Sequence, residues 1–268
     1  MKYIKFNYIP ILCILIIIFL LIIYYLTYDN VFENFESNQI QLIISRYNED
    51  LEWLKKEPYN KYSNIIYNKG ENNNFFQNEN IIKTINLPNV GREGHTYLYH
   101  IIQNYDNLSK INVFLPGSLN IEHKNNKAAR LLNELDKSNK NIIIGKNVNN
   151  VKNYLHNFSL NEYMSSDEKN REINPESKLE LSKIRPFGKW YEDKFNNIDV
   201  KYQMFHGIFS VSREEIQQHP KSYYENLISE LENSSNPEVG HYFERSWNAV
   251  FHPMDKSIFI EGFTPLKI

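Results

Sequence analysis

Apolar residues along this chain gather in short runs of strand length. Between the runs lie polar segments whose apolar positions recur every three or four residues. Ile40–Ile44, Tyr62–Tyr67, Ile81–Leu87, Ile111–Leu115, Asn141–Gly145 and Gly207–Ser212 read as strands. Glu93–Tyr105 sets Leu98, Ile101, Ile102 and Tyr105 on one helical face, and Ala128–Leu135, Tyr223–Leu231 and Val239–Phe251 are helical by the same criterion. Glu49–Lys56 reads as the start of a helix. Another helix begins near Arg213 and is kept short by Pro220. Ser165–Ser177 reads as an inserted polar loop. Alternating strands and helices predict one α/β domain over residues 39–268, with a mostly parallel sheet covered on both faces.

The first forty residues follow a different pattern. Ile9 to Tyr28 contains no charged residue. Such a stretch of about 20 residues makes about 30 Å of helix, enough to cross a bilayer. It ends in Tyr24, Tyr25 and Tyr28 rather than in the small residues of a cleavage site, so it predicts an uncleaved transmembrane anchor over 9–28. Lys2 and Lys5 precede it, and Asp29, Glu33 and Glu36 follow. That asymmetry predicts a single-pass membrane protein: a cytoplasmic tail over 1–8, a stem over 29–38, and the domain on the lumenal or extracytoplasmic side.

Composition excludes several classes. The only cysteine, Cys13, lies inside the predicted span, so no disulfide scaffold is available to the domain. A formal net charge of −2 gives no basic footprint, and nucleic acid is not a predicted partner. Asn supplies about one residue in seven, so isolated polar residues carry little weight here.

Candidate chemistry sits in stretches that follow strands or open helices. In "ISRYNEDLEW" (44–53), Arg46, Tyr47, Asn48, Glu49 and Asp50 follow the first strand, at the end where open α/β sheets bind ligands. The alternative is a helix cap at Asn48, with Glu49 and Asp50 complementing the helix dipole. In "NVGRE" (89–93), Asn89 precedes Gly91, which permits close backbone approach. Arg92 offers a forked donor, and Glu93 opens a helix. In "NPEVGHYFERSW" (236–247), Glu238, His241 and Glu244 or Arg245 are three or four apart and can share a helical face, as suits general-base chemistry and as a surface ion pair would also produce. Phosphate-loop, dinucleotide-fingerprint, zinc-ribbon and nucleophile-elbow motifs do not occur.

"SRYNEDLEWL", "YNKG", "NVGREGHTYLYHIIQNYDNL", "VFLPG", "GIFSVSREEI" and "NPEVGHYFERSW", in that order across residues 40–253, resemble the family known as domain of unknown function 3431. A more distant likeness is to family-two glycosyltransferases of the A-type fold, carried by Tyr47-Asn48-Glu49 after the first strand and Asn89-Val90-Gly91 before a helix. The likeness implies transfer of a sugar from a nucleotide sugar to a glycan acceptor hydroxyl. Arg46, Asn48 and Arg92 would contact the diphosphate, and Glu49 or Asp50 the base or ribose. Glu238 or Glu244 would be the acceptor base, oriented by His241. A-type enzymes hold a divalent cation, Mn or Mg, on a D-x-D, but this chain has Leu115-Pro116-Gly117-Ser118 in its place. Other acids substitute, or Arg46 and Arg92 bind without metal, or the protein is a non-catalytic, membrane-tethered binding or structural relative. The metal ligands stay unassigned.

Overall fold

The computed structural model describes residues 17–21, 23–24, 40–138, 140–165, 168, 171, 178–196 and 198–262. Most of the predicted span 9–28, and most of the predicted loop 165–177, lies outside them. Residues 17–21 and 23–24 are helical and exposed. No helix among the described residues is long and apolar enough to cross a membrane.

Residues from Ile40 onward form one compact unit. Its main sheet has five strands: β1 (Ile40–Arg46), β2 (Ser63–Asn68), β3 (Ile81–Asn86), β4 (Ile111–Pro116) and β7 (Phe209–Ser212), in the order β3-β2-β1-β4-β7. β1, β2, β3 and β4 run parallel, and β7 closes one edge antiparallel to β4. A smaller sheet, β6-β5-β8, pairs β5 (Ile142–Asn147) in parallel with β8 (Ile258–Glu261) and antiparallel with β6 (Tyr202–Gln203).

Strand periodicity of two divides the core. Ile43, Ile65, Tyr67, Phe114 and Phe209 project to one face. They meet α1 (Arg92–Asn104), α4 (Phe187–Phe195), α6 (Lys221–Ile228) and α7 (Glu238–Val250) in one cluster. Leu42, Ile44, Ile66, Val113 and Leu115 project to the other, against Trp53, Tyr59 and the Ala128, Leu131, Leu132 and Leu135 stripe of α2 (Glu122–Ser138). Each such side chain contributes about 1.5–3 kcal/mol through burial. Three short helices complete the domain: α3 (Val151–Tyr154), α5 (Arg213–Ile216) and α6, just named. α5 opens on a capping box in which Ser212 and Glu215 exchange hydrogen bonds.

The structure corrects some local expectations. Glu49–Lys56 does not start an α-helix: one 3₁₀ turn, Glu52–Lys55, occupies it. The N-cap of that turn is Leu51, and the Asn48 side chain accepts from the Asn72 N–H at 3.2 Å. α4, β6 and β8 had no counterpart in the sequence reading.

Two histidines lie in this core. His100 pairs through Nδ1 with the Tyr67 hydroxyl at 2.9 Å, and burial lowers its pKa to about 3. His95 is lowered to about 4, by burial and then by the charge of Lys69. Both are neutral when folded, but their unfolded counterparts take up protons near pH 6.5. The unfolded chain therefore binds more protons below pH 6.5, so their contribution is complete above that value and is lost as pH falls toward 4 and then 3. Above about pH 7 the desolvated Lys69 adds its own rise of stability with pH. The share of the unfolding free energy contributed by the two histidines, measured in urea, should be flat above pH 6.5. It should then fall by up to about 1.4 kcal/mol per pH unit for each histidine.

Candidate ligand cleft at the strand ends

The order of the parallel strands reverses between β1 and β4. β2 and β3 extend to one side of β1, while the chain crosses back through α1 to place β4 on the other. Such a reversal leaves a crevice at the carboxyl ends of the strands, where open α/β sheets bind ligands. A cleft of about 160 Å³ lies there, bordered by Ser45, Arg46, Tyr47 and Glu49 after β1 and by Pro116 and Ser118 after β4. Complete small-molecule sites enclose about 300 Å³ or more, so this one encloses an end of a ligand.

Arg46 fixes the first wall. Fully buried, it donates from Nε to the Glu49 carbonyl at 2.6 Å and from Nη1 to the Tyr47 carbonyl at 3.1 Å and the Asn72 carbonyl at 2.6 Å. Nη1 also reaches Asn68 Oδ1 at the end of β2. These bonds fold 46–49 back over the sheet edge. The Tyr47 N–H then meets Glu49 Oε2 at 2.7 Å. The Glu49 carboxylate lies on Gly117, where a Cβ would come within 2.7 Å of Oε2. Trp53 Nε1 donates to the Gly117 carbonyl at 2.8 Å and ties the two strand ends together.

The second wall is the left-handed start of α1. Gly91 (φ 62°) and Arg92 (φ 51°) turn the chain, and the buried Lys69 ammonium holds the carbonyls of Val90 and Arg92. Burial lowers the Lys69 pKa to about 7, against the opposing charge of Glu93. Arg92 donates to Asn236 Oδ1 at 3.1 Å and stacks 4.8 Å over the Tyr163 ring. Glu93 lies against Gly207, whose added Cβ would sit 2.7 Å from Glu93 Cγ.

Glu244 closes the floor. Its Oε1 accepts the His206 N–H at 2.6 Å, while Oε2 lies 3.3 Å from Arg245 Nη1 and 3.9 Å from His241 Nδ1. Burial pushes this carboxyl up, but Arg245, His241 and His206 together outweigh it and hold it well below the usual range. His206 (φ 64°) is lowered to about 3 by burial, and Glu244 only partly offsets this. Lys124, from the first turn of α2, donates to Ser118 Oγ at 2.8 Å.

Residues 42–259 match the model of a family described as a protein of unknown function (DUF3431). The chain belongs to this family. No curated protein matches it. Every residue bordering the cleft falls inside the DUF3431 match.

Of the sequence candidates, this DUF3431 domain brings Arg46, Tyr47, Glu49, Asn89, Arg92, Glu93 and Glu244 to one cleft. Others lie elsewhere. Gly91 is packed under Leu231, and Asn48 holds the 72 loop. Asp50 is exposed and accepts from the Glu52 N–H at 3.0 Å. His241 is buried behind Glu244 against the Tyr163 ring at 4.1 Å, with burial and Arg92 pushing its pKa well down. Lys69, Ser118, Lys124 and His206 border the cleft without having been singled out. Lys69 stood in the quoted "YNKG", whereas Lys124 is one lysine in a polar helix with no local mark. No group of three His, Cys, Asp or Glu side chains among the described residues is arranged to hold a metal ion. The donor set therefore does not fit the Mn or Mg that the likeness to A-type enzymes implied.

Glu238 departs furthest from the role suggested for it. Its carboxylate is fully buried and pairs with Arg185 Nε at 2.8 Å. It also accepts the N–H groups of Leu160 (2.8 Å) and Ser182 (2.9 Å) and the Tyr242 hydroxyl (2.8 Å). It pins two loops to α7 and does not border the cleft. Glu238→Gln should cost about 3 kcal/mol of unfolding free energy, measured by urea denaturation, and leave ligand affinity at the cleft unchanged.

Proposed function

We propose that this protein is a membrane-anchored glycosyltransferase-like protein that moves a sugar from a nucleotide sugar to an acceptor hydroxyl. The observation that carries the reading is the cleft itself: a polar pocket at the strand-order reversal, bordered by the cations Arg46, Lys69, Arg92 and Lys124 and the carboxylates Glu49, Glu93 and Glu244. Guanidinium and ammonium groups suit a diphosphate. Carboxylates suit ribose, sugar or acceptor hydroxyls. The uncharged run from Ile9 to Tyr28 supports an anchor, with Lys2 and Lys5 on the cytoplasmic side and the domain lumenal or extracytoplasmic.

In this reading Arg92 meets the diphosphate and Glu49 the base or ribose. Glu244, ionised and bordering the cleft, accepts the acceptor proton. Its depressed pKa makes it a weak base at neutral pH. That weakness and the Pro116-Gly117-Ser118 end of β4 favour a second reading, a membrane-tethered protein that binds the same ligand class without turning it over.

Calorimetry of the full chain in detergent against nucleoside-diphosphate sugars separates these readings. We expect a Kd between about 1 μM and 1 mM and a loss of about tenfold or more in Arg92→Ala. Release of nucleoside diphosphate in the presence of sugar acceptors, abolished in Glu244→Gln with binding retained, supports transfer. Binding without release supports the tethered binding protein. No binding to any common nucleotide sugar sinks both.

A further inference from the structure

The carboxyl end of β4 carries no acid and reads Pro116-Gly117-Ser118. An ammonium stands beside it instead. Lys124 donates to Ser118 Oγ at 2.8 Å; burial lowers its pKa, and the charges of Glu93, Glu244 and Glu49 oppose that. Those three are the carboxylates of the cleft. Each already serves a neighbour. Glu49 accepts the Tyr47 N–H, Glu244 accepts the His206 N–H, and Glu93 lies against Gly207 with Oε2 3.9 Å from Arg92 Nε. These carboxylates do not form a group arranged to hold a metal ion, whereas a hard divalent cation takes about six oxygens in near-octahedral geometry.

An independent observation points to an anion. Arg46 is fully buried and borders the cleft, yet its Nη2 has no hydrogen-bond partner, while Nε and Nη1 are held by the loop. A buried guanidinium N–H left without an acceptor is costly, and an anionic oxygen is the kind of acceptor that would satisfy it.

We propose that the cleft binds the pyrophosphate portion of its ligand without a divalent cation, on Lys124 at the β4 end together with Arg92 and Arg46 Nη2. The identity of the whole ligand rests on the nucleotide-sugar reading above; the pyrophosphate site does not. Lys124 is pre-positioned by Ser118, so an arriving phosphate finds an ordered ammonium and causes little reorganisation. The carboxylates remain beside it for hydroxyl groups.

The test uses the full chain in detergent and inorganic pyrophosphate as probe, titrated in EDTA and again in Mn²⁺. We expect binding in EDTA that is at least as tight as in Mn²⁺, which sequesters part of the pyrophosphate and lowers its charge. In EDTA, Lys124→Met should weaken binding about 10- to 100-fold, while Lys124→Arg, which keeps the charge, should change it only a few-fold. If the Met variant does not fold, Lys124→Gln, which keeps the hydrogen bond to Ser118 without the charge, reads the same loss. Binding that appears only with Mn²⁺, binding unchanged in the folded Met or Gln variant, or no pyrophosphate binding in either condition overturns the proposal. Pyrophosphate binding that depends on Lys124, with no nucleotide sugar bound, sustains this proposal and removes the transferase reading.

Discussion

The guanidinium of Arg46 is the constraint on which the strand-end cleft depends. It lies at the last residue of β1, fully buried, where an unpaired charge would be expensive. Its cost is offset by carbonyls from 47, 49 and 72 and by Asn68 at the end of β2. Those acceptors exist only if the 46–49 segment doubles back and the 70–73 loop closes over it. Gly70 permits that closure, since any Cβ there would fall 1.9 Å from the Tyr47 carbonyl oxygen. The same fold-back delivers Glu49 onto Gly117 and so joins the ends of β1 and β4. One buried charge thereby sets the loop, the loop sets the carboxylate, and the carboxylate closes on Gly117.

Backbone strain gathers at the same place. Arg92 and His206 both hold positive φ without being glycine, each beside a glycine that does the same. Such residues cost about 1–3 kcal/mol apiece and persist where the surroundings over-determine them. Here the surroundings are identifiable. Lys69 grips the carbonyls on either side of Gly91, and Glu244 grips the His206 N–H. Gly207 then lies beneath Glu93, so the two strained turns meet across the cleft. That places two ordered, oppositely charged groups, Arg92 and Glu244, on rigid helices rather than on loose loops.

Much of the fold was legible because Ile-rich runs bounded by polar segments admit few other readings, and β1, β2, β3, β4 and β5 all fall where those runs lie. α4 was missed although Phe187, Trp190, Tyr191 and Phe195 repeat at helical spacing; the surrounding polar sequence drew attention to loops. β6 and β8 are too short to declare themselves locally and exist through pairing with β5. The 49–56 segment misled because acids before apolar residues mimic a helix start, while Arg46 bonding had already committed the backbone to a fold-back. At the cleft, residues adjoining strand ends could be read from position alone. Lys124 could not, because nothing in its polar helix marks it, and His206 could not, because its partner Glu244 lies far away in sequence. Glu238 shares a helix face with His241, but helix spacing says nothing of Arg185 and the 160 and 182 amides that draw its carboxylate away from the cleft.

The domain also contains a second cavity, about 250 Å³, beside Leu181, Ile184, Trp190 and Val239. It is more apolar than the strand-end cleft, and its charged lining is one lysine, Lys183, with Glu180 and Glu230, against the four cations of the cleft. A crystal structure of the full chain soaked with a nucleoside diphosphate decides between the two directly. The account predicts diphosphate density at the carboxyl ends of β1 and β4, against Arg92 and Lys124, with the second cavity unchanged. Ligand density beside Trp190 with the strand-end cleft unaltered would contradict it.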